Sequence, residues 1–240
     1  MTDRTPPAGA PRRGLGHAAE DYLKAIHAHT EWQSVPITTT SLAASLSLAP
    51  STATEMVKKL AAAGLVTHVR YGAVSLTPEG SALALAMTRR HRLIETWLVE
   101  SFGYTWDEVH DEADVLEHAV SDRLLDAIAQ QLGDPVRDPH GDPIPTRSGE
   151  IVIPDAVSLG DLADGSSGVV VRIRDRDPEL LRYLAAEGVS VDARVTVEQR
   201  RPFGGALVVR VTPAGGGPET VIDLGAEATA SCWVAVDGRA

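Results

Sequence analysis

The sequence predicts a mainly α-helical protein with small β elements: a winged helix-turn-helix, then a helical domain, then a small C-terminal β-barrel. Three observations support this fold class. Residues 17–80 have the pattern of a helix, a short helix, a turn, another helix and two strands. A region rich in histidine and carboxylate at helical spacing follows. After Arg147 the chain becomes rich in glycine, valine and short alternating runs, which is typical of a small barrel.

Residues 17–80 are predicted to form the winged helix-turn-helix, and the Pro-, Gly- and Arg-rich segment 1–16 a disordered arm. Gly64 is expected to end the third helix, because glycine readily adopts the left-handed conformation of a C-cap. Apolar spacing and then alternation predict helices over 18–30, 40–46 and from 49 or 51 to 63, a two-stranded wing over 65–76 and a further helix opening at 77–80.

The second helix of a helix-turn-helix motif enters the major groove of DNA. Small hydroxylated side chains at its start allow close approach, and basic side chains suit phosphates. The candidate DNA-binding residues are Ser51, Thr52, Thr54, Glu55, Lys58, Lys59 and Arg70, of which the last two are assigned to phosphates. A three-helix packing unit without a ligand is the alternative for this pattern alone.

The formal net charge of −11 is unevenly distributed. Residues 1–70 hold seven Lys and Arg against five Asp and Glu, whereas the remainder holds 15 against 28. A nearly neutral N-terminal region would bind DNA weakly unless cations neutralised part of the acidic remainder. No apolar run approaches a membrane span and residues 1–16 lack a signal core, so we expect a cytoplasmic protein with no membrane partner.

Two histidines and two carboxylates lie on one side of a predicted helix: His110, Asp114, Glu117 and His118. At about 100° per residue they fall within an arc of roughly 100°. A second pair, one helical turn apart, precedes them: His91 and Glu95. Imidazole and carboxylate ligands from two neighbouring helices suit a divalent first-row metal, and the absence of a thiol favours manganese or ferrous iron. The alternative is a solvated acidic helix face that carries histidines.

Short alternating runs predict the C-terminal barrel. The strand candidates are 168–173, 194–199, 206–211 and 230–236, with a helix over 178–186. Cys232, the only cysteine, lies in one of these runs and is expected to be buried.

Taken together, these residues resemble the metal-dependent repressors typified by the diphtheria toxin repressor and the manganese transport regulators. The resemblance covers about 19–145. It is carried by EDYL at 20–23, KLAAAGLV at 59–66, LTPEG at 76–80, RHRL at 90–93, VHDEA at 109–113, LEHAVSD at 116–122 and GDPIP at 141–145.

The resemblance implies a helical metal-binding and dimerisation domain over 81–146 and an SH3-like domain over 147–240. It also implies one metal site formed by His91, Glu95 and His110, and another formed by Asp21, Asp114, Glu117 and His118. In such relatives the C-terminal domain can add a ligand to the first site. Asp175 is the nearest candidate, and an ordinary surface carboxylate is the alternative.

The sequence departs from the iron-responsive branch of this family at two positions. Asp21 and Asp114 stand where methionine and cysteine are usual, and the loss of both sulfur ligands favours manganese. Lys24 departs from the manganese members, which resemble one another in carrying glutamate there. Manganese is therefore the first expectation and ferrous iron the second.

The expected function is that of a homodimeric, metal-activated repressor that binds a palindromic operator and controls metal-uptake genes. The dimer is expected to bury Leu83, Leu98, Leu116 and Leu124. Three alternatives remain: an iron-responsive repressor of the same family, a metal-independent winged-helix regulator, and a helical-bundle metal enzyme. An enzyme is not expected, because the sequence offers no phosphate loop or separate nucleophile-base pair.

Overall fold

The computed structural model describes residues 16–33, 35–69 and 72–238. The predicted arm, apart from Gly16, and Arg70 lie outside the described residues. Within the described ranges, no helix has the length and apolar character that crossing a membrane requires. The elements are α1 (His17–Glu31), β1 (Ile37–Thr38), α2 (Thr39–Ser45), α3 (Pro50–Ala62), β2 (Val66–His68), β3 (Ala73–Leu76), α4 (Pro78–Phe102), α5 (Val109–Leu116), α6 (Asp122–Gln131), β4 (Val157–Ser158), a 3₁₀ turn (Leu159–Asp161), β5 (Ser167–Ile173), α7 (Pro178–Ala186), β6 (Arg194–Arg200), β7 (Leu207–Thr212), β8 (Thr220–Leu224), α8 (Ala226–Ala230) and β9 (Cys232–Val236).

The chain forms two compact units. The first contains the described residues up to 90 with 145–150, and the second contains 91–144 with the described residues from 151 onward, so the boundary falls inside α4. The domain boundaries expected from the sequence, after residues 16, 80 and 146, stay a prediction.

The first unit has the elements of a winged helix-turn-helix. Its sheet has the order β1-β3-β2, and its core is formed mainly by apolar residues of α1, α2 and α3. α3 begins at Pro50, which suits the first helical position because its missing N–H would have no partner there. Gly64 follows the end of α3 with a φ of +74°, as predicted for a C-cap glycine. The sequence did not predict β1, which is only two residues long.

The helical part of the second unit packs α4, α5 and α6 around its own apolar core. The helix predicted through His118 was too long, because α5 ends at Leu116. A turn follows α5, in which Ala119 and Val120 both donate their N–H groups to Leu116 O. Ser121 is then extended, with a ψ of 155°, and its hydroxyl accepts from the backbone N–H of Leu124 to cap α6. Leu98 is 4% exposed within this core, so its assignment to the dimer contact was wrong.

The C-terminal part of the second unit is a six-stranded sheet in the order β4-β9-β5-β6-β7-β8. Its neighbouring strands pair antiparallel around a core rich in valine and leucine. Cys232 is fully buried in that core, as predicted. α7 has the bounds expected from the sequence, whereas β4 and β8 were not predicted. Thr220 and Val221 at the start of β8 are exposed, so the strand lacks a clear buried alternation.

Candidate metal centre

The first ligand group joins α4, α5 and the segment after β5. α4 carries His91 and Glu95 one turn apart, and His91 Nε2 lies 3.0 Å from Glu95 Oε1. α5 brings His110 Nδ1 to 3.4 Å from the same oxygen. Asp175, two residues beyond β5, places Oδ2 3.1 Å from His110 Nδ1. The four side chains offer ligand atoms that all lie within 4.8 Å of one another.

The ionisation of this group reflects its burial and its charges. Burial alone would raise the pKa of Glu95, but the charge of His91 and the close approach of His110 lower it overall. Burial would lower the pKa of His110, yet pairing with Asp175 and Glu95 raises it to about 10. The pKa of Asp175 lies well below its usual value, because its contact with His110 outweighs the effect of burial. The cluster therefore retains its carboxylates in charged form and attracts positive charge.

A second ligand group shares His91. Its Nδ1 atom lies 2.7 Å from Glu117 Oε2 and 3.2 Å from Asp114 Oδ1. Glu117 Oε1 in turn lies 3.6 Å from His118 Nε2. Sequence reasoning placed His91 in the first group alone, whereas the structure places its imidazole between the two groups. Asp21 lies on α1, in the other unit, and its assignment to an ion with Asp114, Glu117 and His118 stays a prediction.

The residues present suit a divalent ion. Glu95 is fully buried, and among the described residues His91 and His110 approach its Oε1 atom without hydrogen-bond geometry, while Oε2 receives no hydrogen bond. A buried carboxylate is costly unless a cation lies beside it. Nitrogen and oxygen ligands without sulfur suit manganese or ferrous iron.

Asp175 is held near the helices by a connection between β5 and the segment that follows α6. Ile173 N–H donates to His140 O at 2.9 Å. Arg172 Nε donates to Asp142 Oδ1 at 2.7 Å, and both side chains are less than a tenth exposed. Since Ile173 ends β5, this connection fixes the start of the short segment that carries Asp175.

Three buried side chains of this segment were missed as site residues: Asp138, His140 and Asp142. Asp138 Oδ1 accepts hydrogen bonds from the backbone N–H groups of His140 and Asp142, at 2.8 and 3.0 Å. Burial, then the charges of Asp142 and Glu95, raise the pKa of Asp138 to about 8. Burial lowers the pKa of His140, but the charges of Glu95 and Asp138 raise it overall. The GDPIP motif at 141–145 was the one available signal, since these residues have no helical spacing.

The candidate DNA-binding residues follow one helix. Ala53, Val57 and Leu60 bury the inner face of α3. The outer face exposes Ser51, Thr52, Glu55, Lys58 and Lys59. Lys58 Nζ donates to Glu55 at 2.7 Å, and half-buried Thr54 donates its hydroxyl to Pro50 O at 2.8 Å.

Three family models match successive parts of the chain. They describe the N-terminal DNA-binding domain of iron-dependent repressors over 14–74, their metal-binding and dimerisation domain over 77–146, and a FeoA domain over 157–235. The iron-dependent repressor IdeR of Mycobacterium leprae is 34% identical over 208 residues, which cover 81% of this chain and 89% of that protein. The diphtheria toxin repressor of Corynebacterium jeikeium is 32% identical over 112 residues, 47% of this chain and 46% of that protein.

Solved structures give the same assignment. A manganese-dependent transcriptional repressor in complex with manganese is 50% identical, with a TM-score of 0.86 over 91% of this chain and 99% of that chain. ScaR with bound cadmium is 31% identical, with a TM-score of 0.76 over 90% of this chain and 98% of that chain. These matches confirm the predicted fold class, including the SH3-like C-terminal domain.

Proposed function

The chain belongs to the iron-dependent repressor family typified by the diphtheria toxin repressor, and from this we propose that manganese activates it to repress metal-uptake genes. It is a metal-dependent, DNA-binding transcriptional repressor with a dimerisation domain, and it is not an enzyme. Its place of action is the cytoplasm, because the chromosome that it must reach lies there.

The ligand chemistry supports manganese. Asp21 and Asp114 offer oxygen where sulfur would favour softer ions, and the first group adds two carboxylates and two imidazoles. A structurally similar repressor, 50% identical, is described as manganese-dependent and bound to manganese. Ferrous iron is the second candidate, because the mycobacterial relatives are iron-dependent repressors.

Activation would follow from charge neutralisation. Without an ion, the mutual repulsion of the Asp114, Glu117, Glu95 and Asp175 carboxylates is offset in part by the imidazoles of His91 and His110. A bound divalent ion supplies the positive charge that allows these side chains to remain close. Asp21 is the proposed ligand from α1, and its participation would tie the DNA-binding unit to the metal-binding unit and favour one arrangement of the reading helices.

The proposed target is a palindromic operator read by two copies of the chain. α3 would enter the major groove, with Ser51 and Thr52 near base edges and Lys59 on a phosphate. Lys59→Ala should weaken binding to all sequences and reduce the salt slope by about one phosphate contact. Arg123→Ala, an exposed change on α6, is the matched control. An unchanged salt slope for Lys59→Ala would remove this residue from the interface.

The direct test measures binding of the full chain to its own promoter at fixed salt. Chelator, buffered manganese and anaerobic ferrous iron are compared at matched free-ion concentrations. Stronger activation by manganese is expected, because the ligands are oxygen and nitrogen. A preference for iron would favour the second candidate, and equal binding in chelator would contradict metal activation altogether.

Substitutions then test the ligands. Asp21→Ala, Asp114→Ala and His118→Ala should each abolish metal-stimulated DNA binding while the dimer stays folded. Glu112→Ala is the matched control, because Glu112 is an exposed carboxylate on the same helix as Asp114. A full metal response in the Asp114 variant would refute its assignment.

A further inference from the structure

A second pocket of buried acceptors lies beside Glu95. Asp138 and His140, from the segment between α6 and β4, complete it. The side chains of Glu95 and His140 are fully buried, and that of Asp138 is 2% exposed. His140 Nδ1 lies 3.8 Å from Glu95 Oε2 and 3.9 Å from Asp138 Oδ1. We call these three residues the inner pocket.

The orientation of His140 follows from its other ring nitrogen. Nε2 lies 2.7 Å from the carbonyl oxygen of Trp106, and a carbonyl can only accept, so Nε2–H is the donor. The imidazole also stacks on the indole of Trp106, with an angle of 18° between the rings. In the neutral ring, Nδ1 therefore presents a lone pair to the inner pocket.

Glu95 Oε2 and His140 Nδ1 receive no hydrogen bond from the described residues, whereas Oε1 is approached by His91 Nε2 at 3.0 Å and His110 Nδ1 at 3.4 Å. Buried acceptors that face one another without a donor are costly, and a cation among them removes that cost. Two ligand atoms that each lie about 2.0–2.2 Å from one ion are at most about 4.4 Å apart. The observed separations of 3.8 and 3.9 Å fall within that limit.

We infer that Glu95, Asp138 and His140 bind a divalent cation of their own, and that Glu95 bridges this ion and the ion of the first group. The inference rests on the proposed metal-dependent function. Glu95 supports bridging because Oε1 faces His91 and His110, whereas Oε2 faces His140.

The surroundings of Asp138 set the expected affinity. Its Oδ1 atom is fixed by two backbone N–H groups, which positions it as a ligand before any ion binds. The guanidinium of Arg92 lies 3.6 Å from Oδ2 and competes with a cation for the same carboxylate. The inner pocket should therefore fill at higher free manganese than the first group.

The test counts manganese ions bound to the full chain. Equilibrium dialysis at a series of buffered manganese concentrations gives ions per subunit, and electron paramagnetic resonance reports exchange between bridged ions. His140→Phe keeps the aromatic packing on Trp106 but removes the Nδ1 ligand. It should bind one ion fewer per subunit at saturation and lose the exchange broadening, whereas His68→Phe, on β2, should retain both.

Asp138→Asn is a second variant that keeps an oxygen to accept hydrogen bonds from the backbone N–H groups of His140 and Asp142, so its fold should survive. It should also bind one ion fewer. If wild type and both variants bound the same number of manganese ions per subunit at saturation, the inner pocket would not be a metal site. A proton shared by its side chains would then be the alternative to a cation. A failure of the proposed function is distinguishable, because wild-type DNA binding would then ignore manganese whatever the ion count.

Discussion

Asp142→Asn tests the connection that holds β5 to the segment before β4. Asp142 lies 2.7 Å from Arg172 Nε and 3.4 Å from Arg92 Nη2, and all three side chains are less than a tenth exposed. The amide keeps the volume and an acceptor but removes the charge that compensates two buried guanidinium groups. Removing one partner of a buried ion pair costs about 3–5 kcal/mol, and the retained acceptor places the expected loss near the lower limit, about 3 kcal/mol.

Asp192→Asn is a control with the same chemistry on the surface. Asp192 accepts two hydrogen bonds from Arg137, at 2.8 and 2.6 Å, but both side chains are about half exposed. An exposed pair contributes only about 0–1 kcal/mol. The φ of 68° at Asp192 is tolerated by asparagine, so the substitution adds little backbone strain.

Urea unfolding of the metal-free chain, followed by circular dichroism and tryptophan fluorescence, gives both free-energy changes. Arg172→Met, alone and with Asp142→Asn, completes a double-mutant cycle for the buried pair. The loss in free energy of unfolding for the double variant should differ strongly from the sum of the losses for the two single variants. A loss for Asp142→Asn no larger than that for Asp192→Asn would refute the claim that the buried pair of Asp142 and Arg172 holds β5 to the segment before β4.

Three further predictions concern the second unit. Gly141→Ala should destabilise it by at least about 1–2 kcal/mol in urea, because φ is +88° and a Cβ would lie 2.0 Å from Val171 O. Gly133→Ala, with φ of +73° and open space, should cost less, and equal losses would contradict the steric explanation. Native Cys232 should resist alkylation until unfolding, since burial raises its pKa to about 12, and rapid labelling would place it at the surface. Manganese affinity should rise by up to about tenfold per pH unit between about pH 6.5 and 8.5. The reason is that His110, with a pKa of about 10, carries a proton that the ion must displace. A manganese affinity that calorimetry finds independent of pH would show that binding displaces no proton from His110.

The sequence by itself determined the winged helix-turn-helix, because apolar spacing, Pro50 and Gly64 are local signals for helix faces and ends. Helical periodicity also placed His91 near Glu95, and His110 near Asp114, whereas the division into two metal sites came from the family resemblance and stays a prediction. It failed for β1, β4 and β8, which are short or lack buried alternation, and so depend on pairing with distant strands.

Only the tertiary structure placed His91 between the two ligand groups and brought Asp138 and His140 behind Glu95. The position of Asp175 also depends on the tertiary structure, because Arg172 near it contacts Asp142, 30 residues away along the chain. Such contacts leave no periodic pattern in the sequence. They arise from burial and charge compensation between segments that meet only after both parts of the second unit have folded.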